Sequence, residues 1–285
     1  MHAMMTYQTI LAVLGEDTDS RSRLGIAIGL ARDFDARLVG MYLSNAPVIT
    51  PSVAAVLPDE VVARYLSGSG DAQYAAEQAF RDAAKTADWR DIEWRAPSGP
   101  PIEAAVAHGR CADLIVIGQP QAGEAGSGFA SQLVSAALME TGRPLLVVPY
   151  VGVPESIGKH VLVAWDGGRE ASRALADAMP LLRRAARVTV GCLDPGASEH
   201  GADAAGRERL AGYLRRHGIG AGIEYDRLGP GDIPVGDWLL SRVADRGGDL
   251  VVMGGYGHPR WREHVLGGAT RTLLTSMTVP VFMAH

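Results

Sequence analysis

The chain has 285 residues, of which 47% are hydrophobic and 21% charged, and its formal net charge is −5. This composition is typical of a globular protein long enough for two domains, and the negative balance argues against the basic face that nucleic-acid binding requires. No apolar run reaches the roughly 18 residues of a membrane span, and residues 1–10 lack the basic and apolar regions of a secretory signal. We therefore expect a cytoplasmic protein without nucleic-acid or membrane partners.

Apolar runs too short for helices alternate with stretches of helical periodicity along the first half of the chain. The strands are predicted at 9–14, 37–42, 92–95, 114–117 and 145–148, and the helices at 19–34, 72–87, 102–108 and 132–140. The stretch 44–69 interrupts this alternation. We expect it to be a surface excursion with a short helix near 59–66, and the alternatives are a lid or a flap between the two halves.

The second half repeats the same order of elements. Its strands are predicted at 160–165, 187–192, 223–227, 250–253 and 281–284, and its helices at 169–182, 204–217, 234–244 and 269–277. The run from Asp113 to Gly118 matches the run from Asp249 to Gly254, and the last strands of the two halves match at the same offset. The linker at 151–158 contains the Gly, Pro and Ser typical of a boundary. We therefore predict two domains, at 1–150 and 157–285.

Five strands alternating with four helices in each half predict the fold class. This pattern indicates an α/β protein with two tandem doubly wound five-stranded parallel sheets, Rossmann-like, with right-handed crossovers. The strands are nearly continuous apolar runs, which agrees with sheets covered by helices on both faces. The two cysteines, Cys111 and Cys192, lie among apolar residues and form no metal-ligand pattern, so we expect both to be buried thiols.

The C-terminal stretch contains the most informative pattern. A valine-rich run at 250–253 predicts a buried strand, and a glycine cluster that includes Gly254 and Gly257 follows it at once. A second cluster, Gly267 and Gly268, opens a predicted helix. Glycines let backbone amides approach a ligand closely, and a helix N-terminus stabilises an anion by roughly 0.3–1 kcal/mol per charge. The pattern is typical of a phosphate cradle, and the alternative is that these glycines only form turns.

This spacing, Gly254-x2-Gly257-x9-Gly267-Gly268, resembles the nucleotide-binding motif of the universal stress protein family, Gly-x2-Gly-x9-Gly-Ser/Thr. The likeness continues through the following helix and the closing residues 279–281. Gly268 departs from the motif because the family usually has a hydroxyl residue there. The loss of that hydroxyl removes one phosphate donor but leaves the backbone amide, so binding would be weakened or altered.

The resemblance implies an ATP site, with or without Mg²⁺, in the second domain. Asp166 would contact the nucleoside, although the residues alone are equally consistent with a turn or helix-capping aspartate in an Asp-Gly-Gly sequence. In the family, dimers form along the last strand, so residues 144–148 and 280–284 could pair within this chain. Two such chains could also associate as a homodimer. The remaining site residues are Ala164 and Val190, which would flank adenine, and Gly254, Gly257, Gly267, Gly268 and Ala269, which would hold the phosphates and ribose.

The first domain departs from this motif. After its fourth strand it reads Gly118-Gln119-Pro120-Gln121, so the second glycine is missing and Pro120 has no N–H to donate. Gly15 follows the first strand in place of an aspartate. We therefore predict that the first domain is a degenerate structural partner.

Three classes of function remain. The leading hypothesis is an ATP-binding regulator of a stress response that acts on an unknown protein partner, without catalytic residues. The chain has no Ser–His–Asp pattern, Walker loop or metal-ligand spacing. The second hypothesis is a slow ATPase, for which only Asp166, His258 or His264 could supply a base near the γ-phosphate. The third is an interaction scaffold that binds no nucleotide.

Overall fold

The computed structural model describes residues 6–15, 20–45, 52, 55–121, 127–152, 157–194, 204–227, 233–256 and 268–285. The first half contains β1 (Thr9–Leu14), α1 (Ser20–Phe34), β2 (Arg37–Tyr42), α2 (Asp59–Thr86), β3 (Ile92–Arg95), α3 (Pro101–Gly109), β4 (Leu114–Gly118), α4 (Ser127–Glu140) and β5 (Leu145–Val148). The second half contains β6 (His160–Trp165), α5 (Arg169–Asp177), α6 (Met179–Leu182), β7 (Arg187–Asp194), α7 (Ala204–Arg216), β8 (Ala221–Arg227), α8 (Val235–Asp245), β9 (Leu250–Gly254), α9 (Gly268–Ser276) and β10 (Val281–Ala284).

The strands form a ten-stranded sheet in the order β3-β2-β1-β4-β5-β10-β9-β6-β7-β8. Within each half the neighbouring strands are parallel, which confirms the predicted tandem α/β fold. The halves join where β5 and β10 pair in antiparallel, with Phe282 opposite Leu146 and Met283 opposite Leu145. The expected pairing of the two last strands within one chain is thus confirmed, and it merges the two sheets into one.

Helices cover both faces of this sheet, as the continuous apolar strands predicted. One core cluster, on the first face, packs residues of α1, α2, α5, α6 and α7 against the sheet. The other, on the second face, packs residues of α3, α4, α8 and α9. Contacts between the halves extend to the first face, where Tyr7 Oη donates to Asp177 O at 2.8 Å and Arg184 pairs with Asp33. No helix in the described ranges is long and apolar enough to cross a bilayer.

The predicted helices differ from the structure most in α2 and at α5 and α6. α2 is one helix of 28 residues, where the sequence predicted a short helix near 59–66 and a separate one from residue 72. Gly68 and Gly70 lie between them, and each glycine costs a helix only about 1 kcal/mol, so the helix continues. The predicted helix at 169–182 is instead divided at Ala178. Pro180 has no N–H for the turn before it, which explains the division.

An aspartate at equivalent positions of the two halves, Asp113 and Asp249, accepts hydrogen bonds from the backbone at the start of its half. Asp249 precedes β9, and its carboxylate accepts hydrogen bonds from the backbone N–H groups of Gly158, Lys159 and His160 at 2.9–3.1 Å. At the equivalent position before β4, Oδ2 of Asp113 accepts the backbone N–H groups of Gln8 and Thr9, at the start of β1. The aspartates therefore tie the first strand of each half to the fourth.

We expect Asp249→Ala to lower the free energy of unfolding by about 1–3 kcal/mol, because hydrogen bonds to a charged group contribute that much and amides would lose their partner. Asp113→Ala should cost less, since two amides are affected instead of three. Urea denaturation of both variants measures the difference. Equal stability of both variants and the wild type would contradict this role.

The cysteines differ in environment. Cys192 is fully buried in the first-face cluster, and burial raises the pKa of its thiol to about 11. Cys111 is exposed, so its predicted burial is wrong. The reason is that Cys111 lies in the turn after α3, between Arg110 and Ala112, which places it at the surface.

The thiolate is the reactive form of cysteine, and burial both raises the pKa of Cys192 and blocks access to it. In the native chain only the exposed Cys111 should therefore react with a chromogenic disulfide reagent at neutral pH, and both thiols should react after denaturation. The native Cys111→Ser variant should show no rapid reaction. A rapidly reacting thiol in that variant would mean that Cys192 is accessible.

Candidate nucleotide site

The predicted site lies where the strand order reverses. From β6 the chain continues through β7 and β8 on one side, whereas β9 pairs on the other side of β6. In open α/β sheets ligands bind beyond the carboxyl ends of strands at such a point. Because Val163 pairs with Val252, the ends of β6 and β9 lie side by side, and Asp166 follows one while Gly254 ends the other.

Asp166 is half-buried and forms a local turn. Its Oδ1 accepts the Gly168 N–H at 2.8 Å, and Gly167 has a left-handed φ of 77°. Gly168 is the residue that precedes the first turn of α5. The turn role that the sequence left open is therefore present. A carboxylate has about four lone-pair sites, so the turn bond and a ligand contact are compatible.

Gly254 has a packing role at this site. A Cβ on Gly254 would lie 2.6 Å from both Ala171 N and Glu170 C, because the first turn of α5 rests on the end of β9. At the equivalent Gly118 the nearest atom is Nη1 of Arg23, also at 2.6 Å. Arg23 is a buried residue of α1, and its Nη2 donates to Ser20 Oγ at 3.1 Å. A helix backbone occupies this position in the second half, and an arginine side chain occupies it in the first.

The other predicted residues lie at different depths. Val190 is fully buried in the first-face cluster and pairs with Val163, below the ends of the strands. Ala164 is half-buried and packs on the second-face cluster. Gly268 and Ala269 form the start of α9. The remaining predictions lie outside the described residues: Gly257, Gly267, His258 and His264.

A cleft of about 440 Å³ opens beside Asp166 on the first face. Small-molecule pockets typically have volumes of about 300–1,000 Å³. The indole Nε1 of Trp165 is buried and has no hydrogen-bond partner within the described part of the chain. Sequence reasoning missed this cleft, although a tryptophan directly before Asp166 was a signal. The lining residues are Trp165, Gly167, Ser172, Leu175, Gly206, Arg209, Leu210 and Tyr213.

The described part of this site contains no group of metal ligands. Among the described residues, no three His, Cys, Asp or Glu side chains come together in a way that could hold a metal ion. The arrangement around Asp166 offers a carboxylate, an indole N–H and the first turn of α5. Such groups can bind and orient a polar ligand.

Gly254→Ala should destabilise the protein by about 1–3 kcal/mol, which is the usual cost of overpacking, because the new methyl group meets helix backbone. Gly118→Ala should cost less, since the end of an arginine side chain can move. The midpoints of urea denaturation measure both effects. A larger loss for Gly118→Ala would show that Arg23 is held more rigidly than the first turn of α5.

Comparisons with solved structures identify proteins with the same fold. No family model matches the sequence, and no curated protein matches it. Among solved structures, a universal stress protein from Archaeoglobus fulgidus DSM 4304 matches with a TM-score of 0.70 and 18% identity, over 97% of this chain and 95% of that one. A functionally unknown protein from Pseudomonas aeruginosa PAO1 matches with a TM-score of 0.55 and 13% identity, over 100% and 94%.

A universal stress protein solved in complex with cAMP matches only half of the chain. The match covers 51% of this chain and 99% of that one, with a TM-score of 0.36 and 21% identity. The full-length match to the Archaeoglobus protein agrees with the resemblance that the glycine motif carried. The chain therefore has the fold of the universal stress proteins, in a tandem arrangement with one ten-stranded sheet.

Proposed function

We propose that the second domain, residues 157–285, binds ATP, and that the protein is a nucleotide-dependent regulator in a stress response. The observation that carries the proposal is the setting of the glycine motif: Gly254 ends β9, and Gly268 begins α9. A motif of this kind requires a strand before it and a helix after it. The unpaired N–H groups of the first turn of α9 would then bind phosphate oxygens.

The site residues divide into two groups. Asp166 and the cleft beside it would hold the nucleoside, with the buried Trp165 Nε1 as a donor and the apolar side chains of Leu175 and Leu210 beneath it. Ala164 packs on the second face and Val190 is fully buried, so neither lines the first-face cleft, and both would support the base from the carboxyl ends of the strands. The remaining group, Gly254, Gly257, Gly267, Gly268 and Ala269, would hold the phosphates and ribose.

ATP would bring the largest phosphate charge to this site, because the negative charge of adenine nucleotides rises from AMP to ADP to ATP. The chain would bind the base in the cleft, orient the ribose through Asp166 and satisfy the phosphates with backbone amides. Mg²⁺ would bind with the phosphates, since no acidic cluster for it is present among the described residues. We propose no catalytic residue, so nucleotide turnover would be slow or absent.

The first domain, residues 1–150, would be a structural partner without a phosphate cradle. Arg23 lies over Gly118 at the position where the backbone of α5 packs in the second half. Gln119 uses its side chain for a contact with α9. Pro120 has no N–H, and Gln121 stands at the position of Gly257.

Isothermal titration of nucleotide-free protein with ATP, ADP and AMP tests the proposal. We expect one ATP site per chain with micromolar affinity, about −8 kcal/mol. Gly257→Val should abolish binding, because a side chain there blocks close approach of the backbone. Gln121→Val, at the equivalent position of the first domain, should bind like the wild type.

Other outcomes would change the assignment. Absence of binding to nucleotide-free wild type would favour an interaction scaffold. Steady ATP turnover that His258→Ala removes without loss of binding would favour a slow ATPase. Loss of binding in Gln121→Val alone would place the site in the first domain.

A further inference from the structure

The ends of β4 and β9 are equivalent positions on either side of the β5–β10 junction. After β4, Gln119 N donates to Val148 O at 2.8 Å, and after β9, Gly255 N donates to Ala284 O at 2.9 Å. The backbones thus follow the same course. The side chains differ: Gln119 in the first half and Tyr256, the residue after Gly255, in the second half each contact a helix of the opposite half.

Gln119 crosses from the first half to the second. Its side chain is buried, and Nε2 donates to Leu274 O at 2.9 Å and to Thr275 O at 3.3 Å, while Oε1 accepts Tyr150 N at 3.2 Å. Leu274 and Thr275 lie in the last turn of α9, where carbonyls have no partner within the helix. A side chain of the first half therefore caps the helix that begins at Gly268.

Tyr256 crosses in the opposite direction. It has a left-handed φ of 59°, which is uncommon for a residue with a Cβ, and its Oη lies 3.0 Å from Ser135 Oγ on α4. Ser135 Oγ donates to Ser131 O at 2.9 Å, so the Tyr256 hydroxyl is the donor in this pair. Gly255 allows the approach, because a Cβ there would lie 2.5 Å from Leu138 Cδ2.

The two contacts hold the elements that flank the glycine motif. Tyr256, between Gly254 and Gly257 in sequence, contacts α4, and Gln119 caps the C-terminal end of α9, the helix that Gly268 begins. We infer that Gln119 and Tyr256 are positioning residues through which the first half sets the geometry of the phosphate cradle. This inference rests on the proposed ATP site. It also assigns a role to the position where the first half has glutamine instead of glycine.

A positioning role predicts a selective loss. Gln119→Met and Tyr256→Phe keep the side-chain volume and remove the hydrogen bonds. Each should weaken ATP binding about tenfold, whereas AMP, which makes fewer phosphate contacts, should bind within about twofold of its wild-type affinity. A tenfold change corresponds to about 1.4 kcal/mol, the size of one or two buried hydrogen bonds. Titration with both nucleotides measures the ratio.

Thr141→Val is the matched control. Thr141 is as buried as Gln119, and its hydroxyl donates to Ala137 O and accepts Arg143 N, both in the first half. This variant should lose comparable stability in urea while its ATP and AMP affinities stay unchanged. Equal losses for ATP and AMP in Gln119→Met, or no loss in either variant, would overturn the inference.

Hydrogen exchange separates this inference from the proposed function, because it needs no ligand. The amides of α9 should exchange faster in Gln119→Met than in the wild type, and Thr141→Val should leave them protected. If the wild type binds no nucleotide, the ATP site is wrong, and faster exchange in α9 would still support the contact between the halves. Unchanged exchange in Gln119→Met would contradict the role of Gln119.

Discussion

The antiparallel pairing of β5 with β10 is the constraint on which the rest of this molecule depends. Each half is a parallel sheet whose last strand, four apolar residues long, would be an unpaired edge. Such an edge promotes association with other chains. In this chain the two edges cover each other, and the facing side chains, including Leu146 and Phe282, are fully buried. The remaining edges of the sheet are β3 and β8.

This junction also decides which helices meet. Because the two strands run in opposite directions, the residues after β4 approach α9, and those after β9 approach α4. The equivalent positions 119 and 255 therefore each contact a helix of the opposite half. Gln119 fills one position and Gly255 leaves the other open for Leu138. The first half, which lacks the glycine motif, contacts the second half through Gln119.

The comparison between sequence and structure is most instructive at the predicted site. Gly254 was interpreted as a phosphate contact, yet its neighbours Glu170 and Ala171 leave no room for a Cβ whether or not a ligand binds. Asp166 was open to two interpretations, and the turn bond to Gly168 is present. The cleft beside it was not foreseen, because its wall on α7 comes from a helix that lies outside the motif.

The sequence by itself determined the order of strands and helices, the repeat and the tandem α/β fold, because periodicity, turn glycines and buried runs are local properties of the chain. The resemblance to the universal stress proteins also implied that β5 and β10 could pair within one chain. Only the tertiary structure decided which side chains cross between the halves. Gln119 and Leu274 are 155 residues apart in sequence. Contacts at such a separation follow from strand pairing and helix packing, which no local pattern contains.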